Sequence, residues 1–174
     1  MILRTTGPLP LGKGADSTGS AMANALIVFD PGQGSTRRVA EEIARGISSS
    51  GRVTTTVTSV QELDPPRLRD YDIIVIGSSS HLGAATLPVR QLLRRIAKDR
   101  LDDKTVSLFD TCVAHHRGGA TLRMKEALYR EDPSLHLASP GISVIVDSTN
   151  GPIHEGEVAK CHEFGRRLAG VALA

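Results

Sequence analysis

Apolar positions along this chain fall into short unbroken blocks and longer stripes at helical spacing. Ala25–Phe29 is a block without alternation, as expected of a strand buried on both faces of a parallel sheet. Asp30–Ser35 carries one Pro and two glycines, so regular structure breaks there. From Thr36 the period changes, and Val39, Ala40, Ile43, Ala44 and Ile47 share one helical face. Ser35 takes the N-cap position. Ser48-Ser49-Ser50-Gly51 ends that helix, and the Thr/Val-rich run Val53–Val60 is a second strand. Gln61–Asp70 contains Pro65-Pro66 and admits a short helix or turn. Tyr71–Gly77 is again a buried strand, followed by a loop over Ser78–Thr86. Pro88 suits a first helical turn, with Val89, Leu92, Leu93 and Ile96 on one face. Lys104–Asp110 reads as a fourth strand, Thr111–Gly119 as a loop, and Thr121–Tyr129 as a helix with Leu122, Met124 and Leu128 inward. Ile142–Asp147 is a fifth strand. Asn150-Gly151-Pro152 turns the chain into a last helix, Glu155–Ala169, whose apolar stripe is Val158, Cys161, Gly165 and Leu168. Its early Glu155 and Glu157 and late Arg166 and Arg167 complement the helix dipole.

Strands and helices alternate five times, which predicts an α/β domain: a three-layer, doubly wound, five-stranded parallel sheet. Ligands in such sheets sit beyond the C-terminal strand ends, where strand order reverses. The loops after the first, third and fourth strands all open on that edge. Residues 24–174 form this domain. Met1–Ala23, rich in Gly, Pro, Ser and Thr, reads as a disordered tail, with Met22 as an alternative start.

Composition narrows the function classes. With 3% aromatic residues and no Trp, the core is built from Val, Ile, Leu and Ala. The formal net charge of +2 argues against nucleic acid and against an anionic membrane surface as partners. No run has transmembrane length. Cys112 and Cys161 lack zinc or dithiol spacing and suit a reducing, cytoplasmic setting.

A strand, a glycine loop and a helix aim unpaired N–H groups at an anion. Arg37 and Arg38 fall in the first helical turn, where cations are unfavourable by about 0.3–1 kcal/mol each. A bound phosphate of charge near −2 reverses that sign; the alternative is that both point into water. Ser78-Ser79-Ser80 beside His81 lacks the glycine-flanked elbow of a serine nucleophile and reads as a ligand-binding loop. Asp30 and Asp110 lie at strand exits as in phosphoryl-transfer sheets, yet the third strand ends in Gly77-Ser78 without an acceptor Asp. Cys112, His115 and His116, with His81 as a fourth candidate, are metal-donor types without a paired ligand motif, so no metal is expected. Cys112 alone reads as an inert, partly buried thiol, and the histidines as solvent-exposed loop residues unless a ligand claims them.

Three stretches carry a resemblance. Phe29-Asp30-Pro31-Gly32-Gln33-Gly34-Ser35-Thr36 is similar to the phosphate loop of the flavodoxin family, a strand followed by Ser/Thr-x-Thr-Gly-Asn-Thr. Tyr71–Ser78 resembles that family's third strand and its exit, and Phe109-Asp110-Thr111 its fourth-strand exit. The resemblance covers Asn24–Ala174 and implies strand order 2-1-3-4-5 with FMN at the switch point. It implies a phosphate site at Asp30, Gly32, Gln33, Gly34, Ser35, Thr36 and Arg37. The flavin ring would lie between Ser78, Ser79, Ser80, His81, Leu82 and Gly83 on one side and Thr111, Cys112, His115, His116 and Gly118 on the other. Pro31 and Gln33 stand where the family has hydroxyls, and histidines stand where it has ring-stacking aromatics. A histidine at the ring edge would favour the reduced flavin and could relay its proton.

Two functional classes follow. One is an FMN-binding redox protein, either an electron carrier or a small quinone or flavin reductase, partnered by a redox protein or a small-molecule acceptor. The other is a cofactor-free module that binds partners or regulates. Acidic carriers dock on basic partners by charge; the near-balanced charge here implies a different docking surface or direct small-molecule turnover.

Overall fold

A computed structural model describes residues 22–174 apart from Gln33, Arg100 and Asp102. The predicted tail thus lies outside the described residues except for Met22 and Ala23, and Ala23 already opens the first strand. Among the described residues six strands, β1 (Ala23–Phe29), β2 (Val53–Ser59), β3 (Ile73–His81), β4 (Ala84–Ala85), β5 (Thr105–Cys112) and β6 (Ile142–Ile145), form one sheet. The parallel path runs β2-β1-β3-β5-β6, the predicted 2-1-3-4-5 order, while β4 pairs antiparallel with the end of β3. Helices α1 (Ser35–Ser48) and α4 (Glu157–Ala172) cover one face, and α2 (Leu87–Lys98) and α3 (Gly119–Glu131) the other.

The unbroken apolar run of β1 is explained by its central place. Ala25, Ile27 and Phe29 point into the α1/α4 core, and Leu26 and Val28 into the α2/α3 core, all almost fully buried. Ile73 and Val75 against Ile74 and Ile76 repeat this division in β3. Each such side chain contributes about 1.5–3 kcal/mol by leaving water. Register aligns Phe29, Gly77 and Phe109 across β1, β3 and β5; one step further Ser78 faces Asp110, and the next pair is Ser79 and Thr111.

Several local expectations change. Ser78–Thr86 is not a loop: β3 runs on to His81, turns at Leu82-Gly83 and returns as β4. Hydroxylic residues hide this extension from an apolar pattern, because backbone pairing sustains it, Ser78 and Ser79 with β5 and Ser80 and His81 with β4. Thr111 and Cys112 likewise belong to β5, and Ala114–His116 forms a single 3-10 turn. Leu122 is exposed rather than inward, leaving Met124 and Leu128 as the buried face of α3. Val158 is only half-buried. Helix α4 starts at Glu157 and extends to Ala172, so Glu155 precedes it and Arg166 and Arg167 fall short of its last turn. The N-cap of α1 is Gly34, not Ser35. The prolines do begin a 3-10 helix, Pro65–Asp70.

Candidate functional site

At the C-terminal edge of the sheet, over β1, β3 and β5, lies a cleft of about 550 Å³, within the range of small-molecule sites. Its floor and walls come from four segments. Ser35 and Thr36 open α1; Ser79, Ser80 and His81 end β3, with Leu82 in the turn after it; Thr111 and Cys112 end β5, and His115 and His116 follow it. The fourth segment lies beyond β6, where Val146, Ser148 and Thr149 complete the wall, with Val113 between. That last segment was not foreseen. Its turn residues Asn150-Gly151-Pro152 signal a change of direction, but only the fold shows which edge the turn lands on.

A second hollow of about 550 Å³ adjoins the first at Ser35 and is lined by Gly32, Gly34, Arg38 and residues 150–153. The partition between the hollows is a hydrogen bond: Ser35 Oγ donates to the Gly151 carbonyl at 2.7 Å. The 146–153 wall is itself braced, with Val146 bridging Ile153, Asp147 N–H on the Pro152 carbonyl, and His154 Nδ1 within 2.6 Å of Asp147 Oδ1.

Helix α1 presents its N-terminus to this junction with no acid in its first turn, and among the described residues no side chain caps it. Its orphan amides are therefore left for water or a ligand. Gly34 has φ +56° and ψ −46°, and a Cβ there would meet nothing within 4 Å. The backbone is thus open to an approaching group where a side chain would both strain the turn and stand in the way. The two hydroxyls expected to help are engaged elsewhere. Ser35 gives its proton to Gly151, and Thr36, 1% exposed, pairs with Thr111 Oγ1 at 2.9 Å. Of the two arginines, Arg37 is exposed and bonded to Glu41 at 3.2 Å, whereas Arg38 lines the second hollow.

The remaining predicted residues divide clearly. His81 Nε2 lies 3.3 Å from Ser79 Oγ, and the His115 and His116 rings meet edge-on with centroids 4.2 Å apart. The Ser80 hydroxyl is buried and has no hydrogen-bond partner among the described residues, while Ser80 lines the cleft. Ser78, by contrast, is structural: its hydroxyl accepts from Thr86 N–H and donates to the Ser79 carbonyl. Asp30 is buried and accepts from Gln61 Nε2 at 3.3 Å. Gly83 packs under α3 against Gly119, and Gly118 N–H donates to Ser143 Oγ. Gln33 lies outside the described residues.

Beneath the cleft, Asp110 is fully buried and accepts three hydrogen bonds, from Thr121 N–H (2.7 Å), Thr121 Oγ1 (2.5 Å) and Ser143 Oγ (2.5 Å). Its carboxylate caps α3 from a neighbouring strand, replacing the side-chain cap that Gly118 cannot supply. Cys112 Sγ lies 3.2 Å from Ser143 Oγ, and burial, aided by the Asp110 charge, pushes its thiol above the ordinary range. Burial drives Cys161 up to about 12, so neither free thiol is poised as a nucleophile. Among the described residues no group of three or more His, Cys, Asp or Glu is placed to hold a metal ion, and no helix is long and apolar enough to cross a membrane.

Glu157, 3% exposed at the start of α4, ties the wall to the helix. Its carboxylate accepts from Ile145 N–H (3.1 Å) and Lys160 Nζ, with Arg117 Nη2 3.6 Å away. Burial alone would raise its pKa, but the Lys160 and Ile145 hydrogen bonds and the two cations outweigh burial and hold it below the usual value of 4.5. A depressed folded-state pKa gives stability present above the unfolded value and lost as pH falls through the folded one. Glu157→Gln is therefore expected to unfold at lower urea than wild type at neutral pH. The gap should shrink as acid is added through and below pH 4.5, measured by far-UV circular dichroism.

A model of the flavodoxin domain matches residues 26–137, spanning all three predicted site loops. The structure superposes on a flavodoxin from the domain Archaea with TM-score 0.73 at 19% identity, covering 86% of this chain and 98% of that one. It also superposes on oxidised Flavodoxin 2 from Bacillus cereus, with TM-score 0.71 at 20% identity and coverage of 85% and 99%. The flavodiiron protein from Giardia intestinalis gives TM-score 0.71 at 16% identity; there this chain is covered over 87% of its length but spans only 36% of the other. At these identities the superpositions speak for the fold, and it is the domain match over most of the length that decides membership: the chain belongs to the flavodoxin family.

Proposed function

We propose that this chain binds FMN in the cleft and works as a redox protein, as an electron carrier or a small quinone or flavin reductase in the cytoplasm. The observation that carries the reading is the convergence of three elements on one cleft: the uncapped α1 terminus, the β3–β4 hairpin with its unpartnered Ser80 hydroxyl, and the His115-His116 turn. When bound, the flavin supplies transfer of electrons or hydride. The chain's part is to hold it. First-turn amides of α1, with Arg38 nearby, would take the phosphate; the Ser80 hydroxyl would gain the partner it lacks; His81, His115 and His116, which line the cleft, would offer ring nitrogens to the flavin. With hydroxyls of Ser35 and Thr36 committed internally, phosphate affinity leans on backbone amides. Two free, buried cysteines suit a reducing compartment.

Titration of FMN fluorescence tests this directly. Saturable quenching with a yellow product is expected, and Gly34→Val should weaken it at least about tenfold by strain and obstruction at the α1 entrance. Absence of saturable quenching sinks the reading and leaves the cofactor-free partner-binding module, which the internally bonded Ser35 and Thr36 hydroxyls favour.

A further inference from the structure

The near-balanced total charge conceals a lopsided corner beside the cleft. Helix α2 carries no acid; Arg90 stands in its first turn beside the hairpin, with Arg94, Arg95 and Lys98 farther along, and among the described residues none of the four is ion-paired. Around the cleft end of α3 stand Arg117, Arg123 and Lys125, with Glu126 the one acid of the first two turns. The α2 and α3 termini meet at the β3–β4 hairpin. There the Arg123 guanidinium carbon lies 4.0 Å from where a Cβ of Gly83 would sit, and Gly119 packs on Gly83.

At the tip of that hairpin, Leu82 is 84% exposed with φ +50°, beside Gly83 at φ +75°. Two positive φ values in a two-residue hairpin turn call for Asn, Asp or Gly. A leucine here is unfavourable for the backbone, and its side chain faces water. Leu122 (55% exposed) and Leu87 (56% exposed) lie at the cleft-side ends of the two adjoining helices. Folding alone gains nothing from this arrangement, whereas an apolar centre with a cationic surround has the anatomy of a protein interface.

We propose that this corner docks a redox protein with a carboxylate-rich face, Leu82, Leu87 and Leu122 entering its apolar spot while Arg90, Arg123 and Lys125 meet its acids. Leu82 also lines the cleft, so a partner seated here lies against the place assigned to the flavin ring. The electron-transfer purpose of the docking rests on the FMN reading; the docking itself does not.

The test uses an acidic [2Fe–2S] ferredoxin as probe, with a basic c-type cytochrome, a redox-inactive acidic protein and duplex DNA as comparisons. Binding to the full chain is measured by calorimetry with and without added FMN. Wild type should bind the ferredoxin with an affinity that falls about tenfold or more between low and physiological salt. It should bind the cytochrome much more weakly. The double variant Arg123→Glu/Lys125→Glu should lose at least about tenfold in ferredoxin affinity. Leu82→Asn should weaken docking while unfolding at equal or higher temperature, because asparagine suits the turn; a purely structural leucine would not separate the two readouts this way. The proposal is overturned by salt-independent binding, by equal or tighter binding of the cytochrome, the inactive acidic protein or DNA, or by self-association that Leu82→Asn abolishes. If FMN fails to bind while the ferredoxin titration stands, the cofactor reading falls and the docking face survives. If FMN binds and the ferredoxin does not, only the docking face falls.

Discussion

Asp110→Ala is expected to unfold at markedly lower urea, losing about 3–5 kcal/mol. The carboxylate is fully buried and ends three hydrogen bonds, two of them from Thr121 in the first turn of α3. Its removal strands the Thr121 amide and hydroxyl in a dry interior and leaves α3 without a cap. It also frees Ser143, whose hydroxyl touches Cys112 and receives the Gly118 amide. Asp110→Asn keeps one carbonyl for Thr121 and should lose about 1–2 kcal/mol, since its amide group meets Ser143 with the wrong polarity unless the serine proton turns. Far-UV circular dichroism is the suitable probe, because the chain has no tryptophan. Equal midpoints for wild type and Asp110→Ala would show that the buried carboxylate is not what holds α3 to β5.

The second large effect lies where α1 crosses α4. A Cβ on Gly165 would fall 2.2 Å from the Ile43 carbonyl oxygen, and one on Gly46 would fall 2.1 Å from that of His162. Both obstacles are backbone, so neither can swing aside. Gly165→Ala must push the helices apart, opening gaps around Ile43, Ile47, Phe164 and Leu168, and is expected to lower stability by about 3 kcal/mol. Gly170→Ala on the same helix is the counterpart: its Cβ enters open space, and the gain in helix propensity should stabilise by about 0.5–1 kcal/mol. Thermal unfolding of the pair reads the contrast. Parallel behaviour would mean that helix propensity, not the crossing, governs both.

The architecture was legible because burial on two faces writes itself into a sequence. Ala25–Phe29 and Ile73–Ile76 lack alternation because each neighbouring side chain has a core to enter, and the α1 stripe ends up buried residue for residue. Sites are written more faintly. Ser78–His81 looked like a loop because its strand is sustained by backbone pairing, Ser78 and Ser79 to β5 and Ser80 and His81 to β4, which leaves no apolar trace. Ser35 had the chemistry of a cap, but its hydroxyl is taken by Gly151, a residue 116 positions away that no local pattern connects to it. Arg37 and Arg38 were indistinguishable in the first turn; one step of helical rotation sends Arg37 to Glu41 and Arg38 into the second hollow. Leu122 sat at plausible helical spacing, yet α3 buries only a narrow face.

The Ser35–Gly151 hydrogen bond has a temporal meaning. Helix α1 is made early, but Gly151, which takes the Ser35 hydroxyl proton, follows 116 positions later, and Glu157 at the head of α4, which anchors the wall to Ile145, later still. A nascent chain lacking them has the glycine turn but no enclosure around it. The enclosure around the α1 terminus is thus complete only once the chain has been made through Glu157.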